Sequence, residues 1–328
     1  MQSIDREISD KYGFEVKSIV PYKDSFLLIT PRGKKLLKKI PFSAERIEFI
    51  HGAKEHLADN GFSNTDRYVC TLDGQAYFVF ENSNYCISDM IEGRECNFDN
   101  DSDLCGGAVL LGRMHKCSRG YVPSEGCKIQ SDLGKLPASF SKRLEDIRKL
   151  KKLAKRGSSG IDHMFLEYAD HFYQVGEDAL NKLQNTKYSL LVEEAGSNAQ
   201  LCHHDVTHHN IICSSEEIYF INFDYCCFEL KVYDVANFIR RKMRKCRWDI
   251  REVDKILNNY CSAEPLSQDE LQVMKVILQF PQKFWRVSNK FYNSRRSWSE
   301  KGFMSKLQEV IDEIPDHMRF MEKLDKLI

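Results

Sequence analysis

The chain has 328 residues, of which 42% are hydrophobic and 29% charged, with 48 basic and 48 acidic side chains. This length allows one large domain or two lobes, and the balanced charge does not favour a general nucleic-acid or membrane-surface binder. No apolar run approaches the roughly 20 residues of a membrane span, and residues 1–14 lack the basic-then-apolar pattern of a signal peptide. We therefore expect no nucleic-acid partner, no membrane insertion and no secretion by that route.

The first 91 residues predict a small, mostly antiparallel sheet with one helix. Pro31-Arg32-Gly33 makes a tight hairpin between two apolar segments. Ser43 is a suitable helix N-cap, and apolar residues recur at helical spacing from Ile47 to Leu57, before Asn60-Gly61 ends the helix. The predicted strands are 14–20, 25–30, 34–40, 75–80 and 85–91.

Beyond Glu92-Gly93-Arg94 the pattern changes to helices, interrupted by a short β-rich segment at 200–224. The predicted helices are 101–118, 139–156, 161–184, 232–246, 250–261, 267–279 and 303–326. We therefore predict an α+β protein of two lobes. A small antiparallel-sheet lobe spans 1–91, and a larger, mainly helical lobe spans 92–328.

The strongest chemical pattern lies in the β-rich segment. His203, Asp205 and Asn210 form an H-x-D-x-x-x-x-N sequence, and the apolar strand after it leads into Asn222-Phe223-Asp224. This pattern resembles the catalytic loop and metal strand of the protein-kinase-like fold, in the version used by aminoglycoside phosphotransferases and choline kinases. The resemblance implies a bilobal fold in which Asp205 is the base and His203 braces the loop. Asn210 would bind the metal, together with Asn222 or Asp224.

Two other interpretations of this histidine-rich loop stay open. It could be a solvated turn, or it could hold zinc through imidazole and thiolate ligands. The zinc ligands would be His204 and His208, or His203 and His209 with Cys202 or Cys213. This spacing fits no familiar zinc motif, so we favour the kinase-like interpretation.

The same resemblance places a nucleotide site in the first lobe. Lys38, at the end of the third strand, would bind phosphates and pair with a glutamate of the next helix. Glu48 and Glu55 lie on one face of that helix, and we favour Glu48. Asp89 and Ile91 occupy the hinge position, where backbone groups would contact an adenine. The implied cofactors are ATP and Mg²⁺, whereas a solvated lysine and a plain linker are the alternatives.

Further segments resemble the CotS-type spore coat proteins of endospore-forming bacteria over nearly the whole chain. They are 55–62, 91–95, 221–226, 280–285 and 291–298. The resemblance implies assembly into a spore coat with other coat proteins. It also implies a location in the cytoplasm of the sporulating cell and in the coat.

Two departures from the active pattern bear on catalysis. The first hairpin, residues 21–26, has no glycine that would cradle phosphates, and Asn222 stands where the metal-binding Asp belongs. Mg²⁺ favours carboxylates and phosphates, and Asp224 would lie roughly 6–7 Å further along an extended strand. We therefore favour a degenerate phosphotransferase, a pseudokinase that serves as a coat scaffold. The alternative is an active ATP-dependent phosphotransferase acting on a small hydroxylated molecule or a saccharide.

Cysteines, basic runs and aromatic residues complete the pattern. The 12 cysteines include no C-x-x-C pair, so we expect reduced, buried thiols, with oxidative cross-linking as the alternative. Basic residues concentrate at 142–156 and 240–251, where we expect solvated helix faces rather than a docking surface for an acidic partner. Helical spacing predicts core positions, rather than a sugar-stacking surface, for Phe284, Trp285, Phe291, Tyr292 and Trp298.

Overall fold

The structure, a computed structural model, describes residues 3–243, 245–293 and 299–327. These residues divide into two units. The first lies within 1–131, 198–228 and 259–264, and the second within 132–197, 229–258 and 265–328. The first unit continues past residue 91, to residue 131. The predicted lobe boundary at residues 91 and 92 stays a prediction.

An antiparallel sheet forms the N-terminal part of the first unit. Its strands are β1 (Ser18–Tyr22), β2 (Ser25–Thr30), β3 (Gly33–Ile40), β4 (Phe78–Phe80) and β5 (Ser83–Asp89). Their order is β1-β2-β3-β5-β4, with every neighbouring pair antiparallel. The register places Lys35 opposite Asp89 and Lys38 opposite Cys86, so that β3 and β5 together carry predicted nucleotide-site residues. The predicted antiparallel sheet is confirmed.

The first strand begins at Ser18 rather than at the predicted residue 14, and a helix that the sequence analysis does not predict precedes the sheet. Helix α1 (Ile4–Tyr12) ends at Gly13, whose φ of 65° is the left-handed conformation that glycine adopts without strain. Ile8 and Tyr12, four residues apart, are buried on one face of this helix. Phe14 belongs to the same core cluster, so its hydrophobicity reflects packing outside β1.

Two smaller sheets and two helices complete the part of the first unit that holds the site. Strands β6 (Arg94–Glu95), β8 (Ile211–Cys213) and β9 (Ile218–Phe220) form one sheet, and β7 (Leu201–Cys202) pairs with β10 (Cys227–Phe228). Short 3₁₀ turns at His208–Asn210 and Phe223–Tyr225 lie beside them. The helices are α2 (Ala44–Asp59) and α3 (Asp101–Cys117).

The rest of the described chain is helical, as predicted. The helices are α4 (Leu136–Ala154), α5 (Gly160–Gln184), α6 (Tyr188–Ser197), α7 (Lys231–Met243), α8 (Ile250–Cys261), α9 (Gln268–Gln279), α10 (Gln282–Asn293), α11 (Glu300–Asp312) and α12 (Ile314–Leu327). The single helix predicted for 303–326 is two helices that meet at Glu313. Pro315 lies in the first turn of α12, where its missing N–H leaves no helical hydrogen bond unmade.

The core of the second unit includes the aromatic residues of α10. Phe284 is fully buried and stacks on Phe172, with ring centroids 4.1 Å apart. Trp285, Phe291 and Tyr292 pack against the same cluster. The core interpretation is therefore confirmed for these four residues of α10, while Trp298 lies outside the described residues.

The two basic segments differ from each other. Most basic side chains of 142–156 are exposed on α4. In 240–251, by contrast, Lys242 is buried and lies 3.3 Å from Glu252, so this segment is not a uniformly solvated face; Arg244 lies outside the described residues. Of the helices in the described ranges, none combines the length and apolarity needed to cross a bilayer.

Candidate functional site

A cavity of ≈ 410 Å³ in the first unit brings most of the predicted site residues together. Its lining includes Lys38, Asp89, Ile91, Asn210, Asn222 and Asp224. This volume is within the range of about 300–1,000 Å³ of small-molecule sites in proteins. The strands β3 and β5 supply one wall, and the turns after β7 and β9 supply another.

His203 fixes the loop that precedes the cavity. Its side chain is completely buried, its Nδ1 accepts the backbone N–H of Asp205 at 3.3 Å, and its Nε2 lies 3.0 Å from the carbonyl oxygen of Ile221. Because Nδ1 accepts, the proton must be on Nε2, which donates to Ile221. The imidazole thus ties the loop to the strand that leads into Asn222. The solvated-turn interpretation is wrong, because His203 and Asn210 are both buried.

A chain of hydrogen bonds runs across the floor of the cavity. The amide Nδ2 of Asn210 donates to the backbone oxygen of Asp205 at 2.9 Å and to its carboxylate at 2.8 Å. The Oδ1 of Asn210 accepts from Nδ2 of Asn222 at 3.4 Å. Lys38 Nζ then donates to Asn222 Oδ1 at 2.6 Å and to Asp224 Oδ2 at 2.7 Å. The residues predicted as base, metal ligands and phosphate lysine therefore form one connected network.

Asn222 uses both halves of its amide in this network. Its Oδ1 accepts from an ammonium group and its Nδ2 donates to Asn210, whereas a carboxylate would supply acceptors only. Its backbone is left-handed, with φ 67° and ψ 60°, a conformation that Asn and Asp tolerate better than most side chains. Its N–H donates to Asp66 at 3.0 Å.

The predicted pairing of Lys38 with a glutamate of α2 is not present. Lys38 contacts Asn222 and Asp224, while Glu55 pairs with Arg67 on the protein surface. The buried Oε1 of Glu48 has no hydrogen-bond partner in the described part of the chain, and Glu48 does not line the cavity. The Lys38 ammonium group therefore contacts the amide of Asn222 and the carboxylate of Asp224, whereas the resemblance implies that it contacts a glutamate.

A buried ion pair beside the cavity was missed by the sequence analysis. Lys54 of α2 has a side chain only 1% exposed, and its Nζ lies 3.0 Å from Asp66 Oδ1 and 3.9 Å from the ring centroid of Tyr68. Asp66 in turn accepts the N–H of Asn222, so this pair positions the metal-strand residue. The sequence signal for this pair is that Lys54 is a charged residue on the apolar face of α2, next to Ala53 and three positions before Leu57.

The rim of the cavity carries a second network. Lys23, in the turn between β1 and β2, contacts one oxygen of Glu95, and His209 Nδ1 contacts the other. Hydrogen bonds from Lys23 and then from His209 hold the pKa of Glu95 below its usual range. The turn between β1 and β2, which has no glycine, therefore carries Lys23, and this lysine forms an ion pair with Glu95 of β6.

The predicted zinc set of His203 and His209 with Cys202 or Cys213 is not brought together in the described ranges. The donor atoms of Glu95, His208 and His209 do lie within 4.8 Å of one another, but Glu95 is already engaged by Lys23. The pair His204 and His208, without a third ligand, stays a prediction.

The oxygen donors at Asn222 do not form a Mg²⁺ site in this arrangement. Mg²⁺ is held by carboxylates together with phosphates and water in near-octahedral geometry. Around Asn222 the network offers the carboxylate of Asp224 and the amide oxygens of Asn210 and Asn222, while the carboxylates of Asp205 and Asp66 accept hydrogen bonds from Asn210 and from the Asn222 N–H. Lys38 occupies the oxygens of both Asp224 and Asn222. An ammonium group therefore stands where the resemblance places the metal.

Comparison with known proteins now identifies the family. A family model described as "Spore coat putative kinase YutH" matches residues 5–324. The chain belongs to this family of spore coat kinase-like proteins. It is also 24% identical over 301 residues to spore coat protein S of Bacillus subtilis (strain 168), covering 91% of this chain and 86% of that protein. The predicted CotS-type membership is confirmed.

Solved structures confirm the kinase-like fold of this spore coat family member. An aminoglycoside phosphotransferase from Alicyclobacillus acidocaldarius has a TM-score of 0.87 at 18% identity, covering 100% of this chain and 97% of that chain. An AMP-bound spectinomycin phosphotransferase has a TM-score of 0.66 at 13% identity, covering 96% and 97% respectively. The predicted fold class, an antiparallel-sheet N-terminal part and a mainly helical C-terminal part, is confirmed.

Proposed function

We propose that this chain is a spore coat scaffold that keeps a nucleotide-binding cavity and lacks a working metal centre for phosphotransfer. The observation that carries the proposal is the position of Lys38, whose ammonium bridges Asn222 and Asp224. With Asn at position 222, Asp224 is the one carboxylate of the Asn222-Phe223-Asp224 segment, and it is paired with Lys38.

Nucleotide binding is supported by the cavity and its lining. The volume suits a small molecule, and Asp89 and Ile91 line it where β5 leads towards the linker. The Nζ of Lys35 lies 2.5 Å from an oxygen of Asp89, and this ion pair fixes the Asp89 side chain at the end of β5. A structural neighbour was solved with AMP, which agrees with a nucleotide as the ligand of this fold.

A coat role is supported by the family and by the similarity to spore coat protein S. We place the chain in the spore coat, with other coat proteins as its partners.

One observation favours the alternative, an active phosphotransferase acting on a small hydroxylated molecule or a saccharide. The loop that holds Asp205 is ordered by His203 and Asn210, as a general base requires. In this alternative Asp205 accepts the proton of the substrate hydroxyl while Lys38 steadies the phosphates.

Formation of ADP from ATP by the parent chain and by Asp205→Asn distinguishes the two functions. We expect equal, background-level rates, because the scaffold proposal assigns no turnover to either protein. Asp73→Asn, the same change at an exposed turn position, controls for charge. A parent rate exceeding that of Asp205→Asn by roughly 10²–10⁴-fold, the usual contribution of a general base, would establish the enzyme and overturn the scaffold.

A further inference from the structure

Two cysteines and an aspartate lie close together in the first unit, outside the nucleotide cavity. The Sγ atoms of Cys96 and Cys213 and a carboxylate oxygen of Asp103 are all within 4.8 Å of one another. All three residues belong to the first unit, and none of them lines the nucleotide cavity. Among the described residues, this is the one group of potential metal ligands that contains two cysteines.

The pairing of β6 with β8 brings the two cysteines together. The register places Arg94 opposite Cys213. Cys96, two residues after Arg94, continues the pairing, since its N–H donates to the carbonyl oxygen of Ile211 at 2.8 Å. Alternate residues of a strand share a face, so the side chain of Cys96 lies beside that of Cys213. Asp103, in the first turn of α3, completes the group from a third part of the chain.

Asp103 keeps an oxygen lone pair for a further partner. Its Oδ2 accepts from Arg94 and from the backbone N–H of Asn97. Of the nitrogen donors in the described ranges, only that of Arg94 reaches Oδ1, at 2.8 Å. Each carboxylate oxygen can accept two hydrogen bonds or bind a metal with a free lone pair. The contact with Arg94 therefore orients the carboxylate without using all of its capacity.

The charges of the group favour a divalent cation. Two thiolates and one carboxylate carry three negative charges, and a divalent ion leaves one of them uncompensated. The guanidinium of Arg94, held against Asp103, neutralises that last charge. This balance matters because Cys96 is 2% exposed and Asp103 is 5% exposed, and an unpaired charge is costly at a buried position. Hydrogen-bonded partners such as Arg94 commonly orient the carboxylate ligands of metal sites.

The donor types and their spacing favour Zn²⁺. Zinc binds cysteine sulfur and aspartate oxygen in tetrahedral geometry, whereas Mg²⁺ and Ca²⁺ favour oxygen ligands alone. With Zn–S bonds of about 2.3 Å, two sulfurs in a tetrahedral site lie ~3.8 Å apart. Donor atoms within 4.8 Å of one another therefore need to approach by at most about 1 Å. Cys213 is only partly buried, so the fourth position is accessible to water.

We propose that Cys96, Asp103 and Cys213 bind one Zn²⁺ ion, with water as the fourth ligand. Each thiol releases one proton to solvent as its sulfur bonds to the metal, and no electron is transferred. The ion holds β8, α3 and the segment after β6 together. This site is separate from the metal position at Asn222 and does not depend on nucleotide binding.

The test is a titration of the reduced, tag-free full chain with Co²⁺, which replaces Zn²⁺ and absorbs in the near ultraviolet when thiolates bind it. We expect this absorption to saturate at one equivalent and to disappear when Zn²⁺ is added. Cys96→Ser and Cys213→Ser each remove one sulfur. Each variant should bind Co²⁺ at least about tenfold more weakly and show about half the absorption per bound ion.

Cys105→Ser is the matched control. Cys105 lies on α3 near Asp103, is partly buried like Cys213, and is outside the group of ligands. This variant should bind Co²⁺ as the parent does. The Glu95, His208 and His209 group contains no sulfur, so ions bound there would not contribute to the thiolate absorption.

Thermal melting provides a second measurement. Excess Zn²⁺ should raise the melting temperature of the parent and of Cys105→Ser by a few degrees, and it should leave Cys96→Ser and Cys213→Ser unchanged. Circular dichroism would confirm that each variant is folded, and Cys213→Ser carries the test if the buried Cys96→Ser is not. Absence of thiolate absorption in the parent would overturn the proposal. Parent-like absorption in Cys213→Ser, or its loss in Cys105→Ser, would also overturn it.

Discussion

At the scale of single residues, Asn222 determines whether this site has a second carboxylate beside Asp224 to bind Mg²⁺. Asn222→Asp adds a second carboxylate beside Asp224 and keeps a side chain that tolerates a φ of 67°. A contact to a charged group contributes roughly 1.5–3 kcal/mol, and about 1.4 kcal/mol is a tenfold change. We therefore expect Asn222→Asp to bind ATP roughly ten- to a hundredfold more tightly than the parent chain does when Mg²⁺ is present. In EDTA it should bind more weakly, because the added charge then repels the phosphates.

Asn82→Asp is the matched control for this calorimetric titration. Asn82 is exposed in the turn between β4 and β5, and its φ of 58° is also left-handed. The control should leave the affinity for ATP unchanged with and without Mg²⁺. Equal affinities for the parent and Asn222→Asp under both conditions would contradict the assignment of Asn222 to the metal position.

Single residues also show the limits of sequence reasoning at this site. The H-x-D-x-x-x-x-N pattern led to the right loop because the spacing of His203, Asp205 and Asn210 encodes a local structure. The partner of Lys38 could not be predicted, because Asn222 and Asp224 are more than 180 residues away along the chain. Their contact depends on how the sheet and the loop meet.

Among the elements, the start of α7 carries the clearest pH-dependent group. Glu229 lies two residues before Lys231, the first residue of this helix, and is 4% exposed. Burial raises its pKa to about 8, and the charges of Asp132 and Asp234 act in the same direction. The folded chain therefore binds this proton more tightly than the unfolded chain. The stability that this group contributes is fully present below the unfolded pKa of about 4.5 and is lost as the pH rises towards 8.

Glu229→Gln tests this pH dependence by replacing the acid with a neutral isostere. The variant should lose the part of the fall in melting temperature that the parent shows between about pH 5 and 8, and it should be the more stable protein at pH 8. Glu194→Gln, at an exposed position of α6, should follow the parent curve. A parent-like curve for Glu229→Gln would contradict the raised pKa.

The elements themselves were predictable to different degrees. Helices α5 and α9 were placed within one residue at each end, because apolar residues recur along them and capping boxes mark their starts at Ser159 and Ser267. Helices α1 and α6 were missed, because with only 9 and 10 residues their helicity depends on packing more than on local pattern. Helix α10 has 12 residues, as α9 does, and the helical spacing of its aromatic residues predicted core positions without giving its bounds.

At the scale of the whole molecule, the exposure and reactivity of the cysteines determine whether this chain can be cross-linked by oxidation. No disulfide joins any of the 12 cysteines, which all lie in the described ranges, and only Cys70 and Cys261 are exposed. Partial burial, followed by the charges of Glu55 and Glu48, raises the pKa of Cys70 and so lowers its reactive thiolate fraction. We therefore expect mild oxidation to leave the oligomeric state unchanged on non-reducing gels.

The double variant Cys70→Ser and Cys261→Ser provides the comparison for that gel. It should be indistinguishable from the parent before and after oxidant. Disulfide-linked multimers that form in the parent and disappear in the double variant would support cross-linking instead.

We expect the cavity of the first unit to bind nucleotide without a working metal centre. Calorimetric titration of ATP into the parent chain, once with Mg²⁺ and once with EDTA, measures whether it does. We predict binding in both titrations with affinities within about tenfold of each other, because Lys38 supplies the positive charge beside Asn222 and Asp224. Binding that disappears in EDTA, or no binding in either titration, would contradict the claim.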